Sequence, residues 1–147
     1  MKGGSILEKT RIGELLVIRL ADGEEIVKTV SSTLTEDHIT SGIILGGVGM
    51  LQGAEISFYV GDGNYETKKL EEEVELCSLN GNISTYENDL VVHMHAVVGK
   101  RDGSTVSGHL SGGKVHLTAE IAILVLPHAM ERRLDEKTGL KLLSFKS

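Results

Sequence analysis

Tryptophan is absent, proline and cysteine occur once each, and aromatic residues make up only 3% of the 147 residues. A core without large rings must be built from Leu, Ile and Val. The lone cysteine, Cys77, excludes a disulfide framework within the chain. Its neighbours Leu76 and Leu79 make it an expected small buried hydrophobe, ahead of a nucleophile. No apolar run is long enough to span a membrane, and Met1-Lys2-Gly3-Gly4-Ser5 has neither an apolar stretch nor a cleavage pattern. The expected location is therefore the cytoplasm. Positive charge is also in short supply: 15 basic against 21 acidic residues give a net charge of −6. That balance repels bare nucleic acid and anionic membrane surfaces on average. Glycine is plentiful, at 18 residues, and points to tight turns rather than to a disordered tract. The length suits one domain, residues 1–147, with a core over about 14–126 and a C-terminal segment over 127–147.

The stretch Val91 to Gly113 organises the rest. Leu90 to Val98 reads as a strand, and alternation puts Val91, His93, His95 and Val97 on one face. His93 and His95 then stand roughly 6.5 to 7 Å apart, within reach of one ion. Two alternating histidines on a half-buried strand are also what packing or surface histidines look like, so the following turn matters. A two-residue loop, Asp102-Gly103, would pair His109 with Ala96, on the wrong face. A three-residue loop, Arg101-Asp102-Gly103, pairs His109 with His95 and puts Gly103 at the position that favours a left-handed residue. A bulge at Gly108 would break that register. Three neutral imidazoles leave one position open on a tetrahedral zinc, the pattern of sites that bind water or a substrate.

Around this hairpin the chain reads mostly as strands. Glu14 to Leu20 is a strand, Ala21-Asp22-Gly23-Glu24 a turn, and Glu25 to Val30 the predicted hairpin partner. A helix is predicted from a capping box at Thr33 and Glu36, with Leu34, His38 and Ile39 on one face and Gly42 as its stop. The glycines in Ile43 to Met50 follow a helix and precede a strand. That is the reverse of a phosphate loop, and close backbone approach or a bulge explains them better. Gly53 to Val60 and Tyr65 to Leu70 flank a turn at Gly61 to Asn64. Val74 to Leu79 and Ile83 to Tyr86 follow, separated by Asn80-Gly81-Asn82. The run Glu71-Glu72-Glu73 reads as a solvated face. In Val115 to Ile123, alternation places His116, Thr118 and Glu120 on one face and Val115, Leu117, Ala119, Ile121 and Ile123 on the other. Glu120 is the candidate catalytic carboxylate, with Glu55 and His116 as other candidate proton carriers. Glu131 to Gly139 is polar, and Leu140 to Phe145 is a last apolar segment.

Asn80-Gly81-Asn82-Ile83, His93-Met94-His95, Gly108-His109-Leu110, Thr118-Ala119-Glu120-Ile121, and the late Arg132, Arg133 and Thr138-Gly139-Leu140 together resemble the PPC domain, the plant-and-prokaryote conserved domain. The likeness covers the chain from about Glu14 onward. The family usually has Gly-Gly-His-Leu where this chain has Ser107-Gly108-His109-Leu110. The resemblance implies an α/β fold of the α+β type, with a mostly antiparallel sheet and one main helix packed on it. That architecture is similar to acetolactate decarboxylase. It also implies a homotrimer and a metal, most often zinc, on His93, His95 and His109. In plants the domain follows an AT-hook that enters the minor groove, and no Arg-Gly-Arg-Pro sequence occurs here, so the DNA-contacting part of the plant proteins is not expected in this sequence.

Three functions compete: a trimeric metal-binding module for assembly or ligand sensing, a zinc-dependent lyase or hydrolase on a small carbonyl substrate, and a DNA-associated regulator. The face from Val115 to Ile123 is expected to be too apolar to leave in water, a second motive for a trimer. Direct DNA binding is disfavoured by the charge. Mobility-shift titration of A·T-rich duplex at submicromolar protein should accordingly show no salt-sensitive complex.

Overall fold

In the computed structural model, which describes residues 7–145, strands dominate and one helix is present among the described residues. The Met1–Ser5 segment lies outside the described residues. Among the described residues, no helix is long and apolar enough to cross a membrane. The elements, in order, are β1 (Glu8–Ile12), β2 (Leu15–Ala21), α1 (Ile26–Glu36), β3 (Gly42–Gly61), β4 (Asn64–Tyr86), β5 (Asp89–Gly99), β6 (Thr105–Val125), β7 (Glu131–Asp135) and β8 (Leu140–Ser144). They form one mixed sheet in the order β1-β2-β6-β3-β4-β7-β8, with β5 bridging β4 and β6. Because β3 also pairs with both β4 and β6, these four strands form a closed circuit of hydrogen bonding. The α+β class expected from the sequence is the observed one.

The helix is placed differently from its sequence prediction. It starts at Ile26, where a strand was expected, and Glu25 caps it by accepting the Lys28 N–H at 2.6 Å. Thr33, the predicted cap, is buried inside the helix and donates its hydroxyl to the Thr29 carbonyl. Ile26, Val30, Thr33 and Leu34 make the buried stripe, a helical spacing. The helix ends before His38, not at Gly42. His38 adopts φ +55°, while the His38 and Ile39 N–H groups bond back to the Thr35 and Leu34 carbonyls. That is a Schellman ending with histidine in the role glycine usually takes. The β-branched composition of Ile26 to Val30 favours a strand locally, and packing on the sheet overrides it.

Alternation also fails at Leu117. Gly49 pairs with Ala119 and Leu51 with Val115, so β6 carries extra residues between those pairs. This bulge turns Leu117 to φ +63° and leaves it 62% exposed, with its N–H donating to Asp22 Oδ1. Val115, Ala119, Ile121 and Ile123 are buried in the single chain's own core, so that face does not call for a second chain. Cys77 is exposed, contrary to expectation. It is the unpaired residue where the β4–β5 register shifts between Leu76 and Ser78, which turns it outward.

The strand predicted to break at Asn80-Gly81-Asn82 runs through unbroken, and Gly81 is what permits it. A Cβ there would stand 1.9 Å from the His93 carbonyl oxygen. The glycines of β3 do similar work, a Cβ at Gly49 meeting the Thr118 carbonyl at 2.2 Å. Gly81→Ala should therefore lower unfolding free energy by about 2 kcal/mol or more. Gly46→Ala, with nothing within 4 Å of the added carbon, should cost less than about 1 kcal/mol, as equilibrium urea unfolding can compare.

Candidate metal centre

The hairpin between β5 and β6 closes as the loop chemistry predicts. Lys100 N–H donates to the Ser104 carbonyl, Gly103 N–H to the Lys100 carbonyl, and Gly103 sits at φ +85°. Asp102 stabilises the turn by accepting from the Ser104 N–H at 2.9 Å and from its hydroxyl. The register follows: Val98 pairs with Val106, Ala96 with Gly108 and His95 with His109. No bulge interrupts it at Gly108. Ser107, where the family has glycine, is exposed and pairs with Val97 in the same unbroken ladder. Gly108 brings β6 close to β3, for a Cβ there would lie 2.8 Å from the Ser57 carbonyl oxygen.

Three imidazoles therefore share one place. Ring centroids are 5.0 Å apart for His93 and His95, 5.3 Å for His93 and His109, and 5.7 Å for His95 and His109. One ring nitrogen of each lies within 4.8 Å of the others, close enough to hold one metal ion. His93 and His109 are half-buried and His95 is exposed. Met94, between the first two, is buried on the opposite face, as a strand requires. A cavity of about 740 Å³ opens over the three rings, walled by Phe58, Tyr59, Tyr65 and Leu140. A second, of about 380 Å³, reaches His93 and His109 from the side of β7 and β8. The Tyr65 ring stands 5.4 Å from that of His109.

The other sequence candidates are not at the histidines. Glu120 lies further along β6, about 35 Å of strand contour beyond His109, where it pairs with Arg19 of β2 and Val48 of β3. His116 is near Asp22 at 3.7 Å and Glu73 at 3.4 Å. Glu55 lines a separate cavity beside Glu25 and Lys69. Arg132, quoted in the sequence only as part of a family likeness, does reach the site from β7. It donates to Ser84 Oγ at 2.8 Å, Asn82 Oδ1 at 2.6 Å and the Lys141 carbonyl at 2.6 Å, and its Nη2 lies 3.4 Å from His93 Nδ1. Asn82 pairs directly with His93 across β4 and β5, so alternation could have put those two together. The 50-residue step to Arg132 carries no local signal.

Burial above all, with the charges of His95, Arg132 and His109 behind it, holds His93 down to a pKa of about 4. Burial, then His95, also lowers His109. Both are thus neutral near pH 7, the state a metal ligand needs.

Residues 7–127 match the Plants and Prokaryotes Conserved (PCC) domain. The chain belongs to that family. Among solved structures, a metal-containing protein from Archaeoglobus fulgidus is 32% identical, with a TM-score of 0.83 over 96% of this chain and 99% of that one. A candidate DNA-binding protein from Bacteroides thetaiotaomicron is 26% identical, with a TM-score of 0.90 over 96% and 99%. A plant- and prokaryote-conserved protein from Pyrococcus horikoshii is 25% identical, with a TM-score of 0.82 over 100% and 99%. A curated relative, the bifunctional protein GlmU of a Synechococcus strain, is 27% identical over 124 residues. Those residues are 83% of this chain and 19% of that protein, so the chain spans about a fifth of its length.

A histidine whose folded pKa lies below its unfolded value of about 6.5 leaves the unfolded chain binding more protons between the two values. Stability of the metal-free PCC domain should therefore be fully present above pH 6.5 and fall as pH drops toward 4. The decline should be shallower in His93→Asn, as thermal melts across that window would show.

Proposed function

We propose that this PCC domain holds one zinc-like divalent ion per chain on His93, His95 and His109 and works, as a homotrimer, as an assembly or ligand-sensing module. The observation that carries it is the convergence of three imidazole ring nitrogens within 4.8 Å. His109 Nδ1 supports the fit: it is buried and has no hydrogen-bond partner among protein atoms. A metal held there by His93, His95 and His109 would supply Lewis acidity, with three protein ligands leaving room for water or a substrate. Imidazole donors suit zinc, while nickel, cobalt or copper could load by affinity order. The similarity to a metal-containing protein agrees with the site but names no metal.

The homotrimer rests on the family resemblance. Leu45, Val48 and Phe58, each more than half exposed on β3, offer apolar surface for it. A zinc-dependent lyase or hydrolase is the second function, favoured by that room for water or a substrate. It needs a group to carry a proton, and no Asp or Glu is among the residues lining the two cavities at the histidines. Association with DNA is suggested by the likeness to the Bacteroides DNA-binding candidate and opposed by the net charge of −6.

Metal analysis after zinc loading should give about one equivalent per chain, falling on acidification as the imidazoles protonate. His95→Ala and His109→Ala should each lose the metal and His128→Ala should keep it. Light scattering should return three times the monomer mass, and a monomer at micromolar concentration would remove the assembly role.

A further inference from the structure

A cation stands beside the proposed cation site, and its contacts say what it is for. A guanidinium can only donate, so the close approach of Arg132 Nη2 makes His93 Nδ1 the acceptor. A neutral imidazole has one lone pair in the ring plane. Once that pair is given to a metal, Nδ1 is either the bound nitrogen or the protonated one. In both cases it no longer accepts from Arg132. Ser84, Asn82 and the Lys141 carbonyl still hold the guanidinium, so the released N–H remains at the rim of the cavity.

Arg132 lines the cavity on the β7–β8 side, the Lys141 ammonium lies instead over the Tyr86 ring at 4.1 Å, and no carboxylate lines either cavity at the histidines. Three neutral imidazoles leave a divalent ion its full charge, and unpaired charge away from water is costly. In a protein of net charge −6, this concentration of positive charge is local. The remaining walls are apolar: Tyr65, Val91, Leu140 and Leu142 among them. The polar lining includes no helix N-terminus of the kind that cradles phosphate.

From this we infer that the metal-loaded site binds a small monocarboxylate with an apolar tail, whose carboxylate offsets part of the metal's charge and accepts the hydrogen bond that Arg132 releases from His93. The inference rests on the metal site proposed above. Cobalt(II) can replace zinc, and its visible spectrum reports on ligands without any assay of activity. Butyrate should perturb that spectrum with a dissociation constant at least about ten-fold lower than that of its neutral isostere butyramide, as a charge-assisted bond requires. Inorganic phosphate should bind more weakly than butyrate. Arg132→Gln should weaken butyrate binding about ten-fold. The same variant should bind cobalt at least as tightly as the wild type, because a competitor for the His93 lone pair is gone; a merely structural arginine would have the opposite effect. Arg132→Lys keeps the charge but not the fork, and should bind butyrate several-fold more weakly than wild type. Equal binding of butyrate and butyramide, tighter binding of phosphate, or wild-type butyrate affinity in either folded variant would overturn the proposal. Wild-type protein that takes up no cobalt would instead sink the metal site itself, and this inference with it.

Discussion

The closure of the β5–β6 hairpin between Lys100 and Ser104 is the constraint on which the histidine cluster depends. Side chains alternate along a strand, so a slip of one residue would move His109 to the other face and leave a pair where three now meet. Register is held at the tip by Asp102 and by the left-handed Gly103, and further along by the burial of Ala96, Val98 and Leu110. The Lys100–Glu72 ion pair at 2.9 Å adds little, since both side chains are substantially exposed. Local turn chemistry and core packing therefore select the same register, the consistency between levels that gives a sequence one structure.

What the sequence made legible follows strand alternation and loop chemistry. Alternation put His93 beside His95, and loop chemistry put His109 opposite His95, because both are short-range rules. The α+β class follows from the family likeness, whereas the closed strand circuit has no local signal in the sequence. The helix was misplaced because Glu25 is an unusual cap and Ile26 to Val30 has the composition of a strand. Its actual start depends on long-range contacts: Glu25 also accepts the Gly113 N–H, across from β6. Alternation puts Leu117 on the wrong side because it sits at a bulge, and Cys77, expected to be buried from its neighbours Leu76 and Leu79, is turned outward at another. Arg132 was visible as a motif residue without a role, since nothing near it in the chain reveals that β7 returns to β4 beside Ser84 and Asn82.

Charge is partitioned in a way that composition conceals. Acidic residues outnumber basic ones overall, yet the cavities over the histidines are lined by Arg132, imidazoles, neutral polar groups such as Ser57, Asn80 and Ser107, and apolar groups, with no carboxylate. Burial keeps His93 and His109 neutral and so prepares them to give lone pairs. The C-terminal hairpin is thus part of the site: β7 carries the guanidinium and β8 supplies Leu140 and Leu142 to its wall.

X-ray absorption at the zinc edge tests the convergence of the three imidazoles most directly, because it counts the atoms around the ion. Zinc-loaded protein should show three histidine nitrogens at about 2.0–2.1 Å, with the outer-ring scattering of imidazole and a lighter ligand completing the shell. A sulfur at about 2.3 Å, which only Cys77 among side chains of the usual ligand types could supply, or a shell of oxygens without imidazole scattering, would place the metal elsewhere and contradict the account.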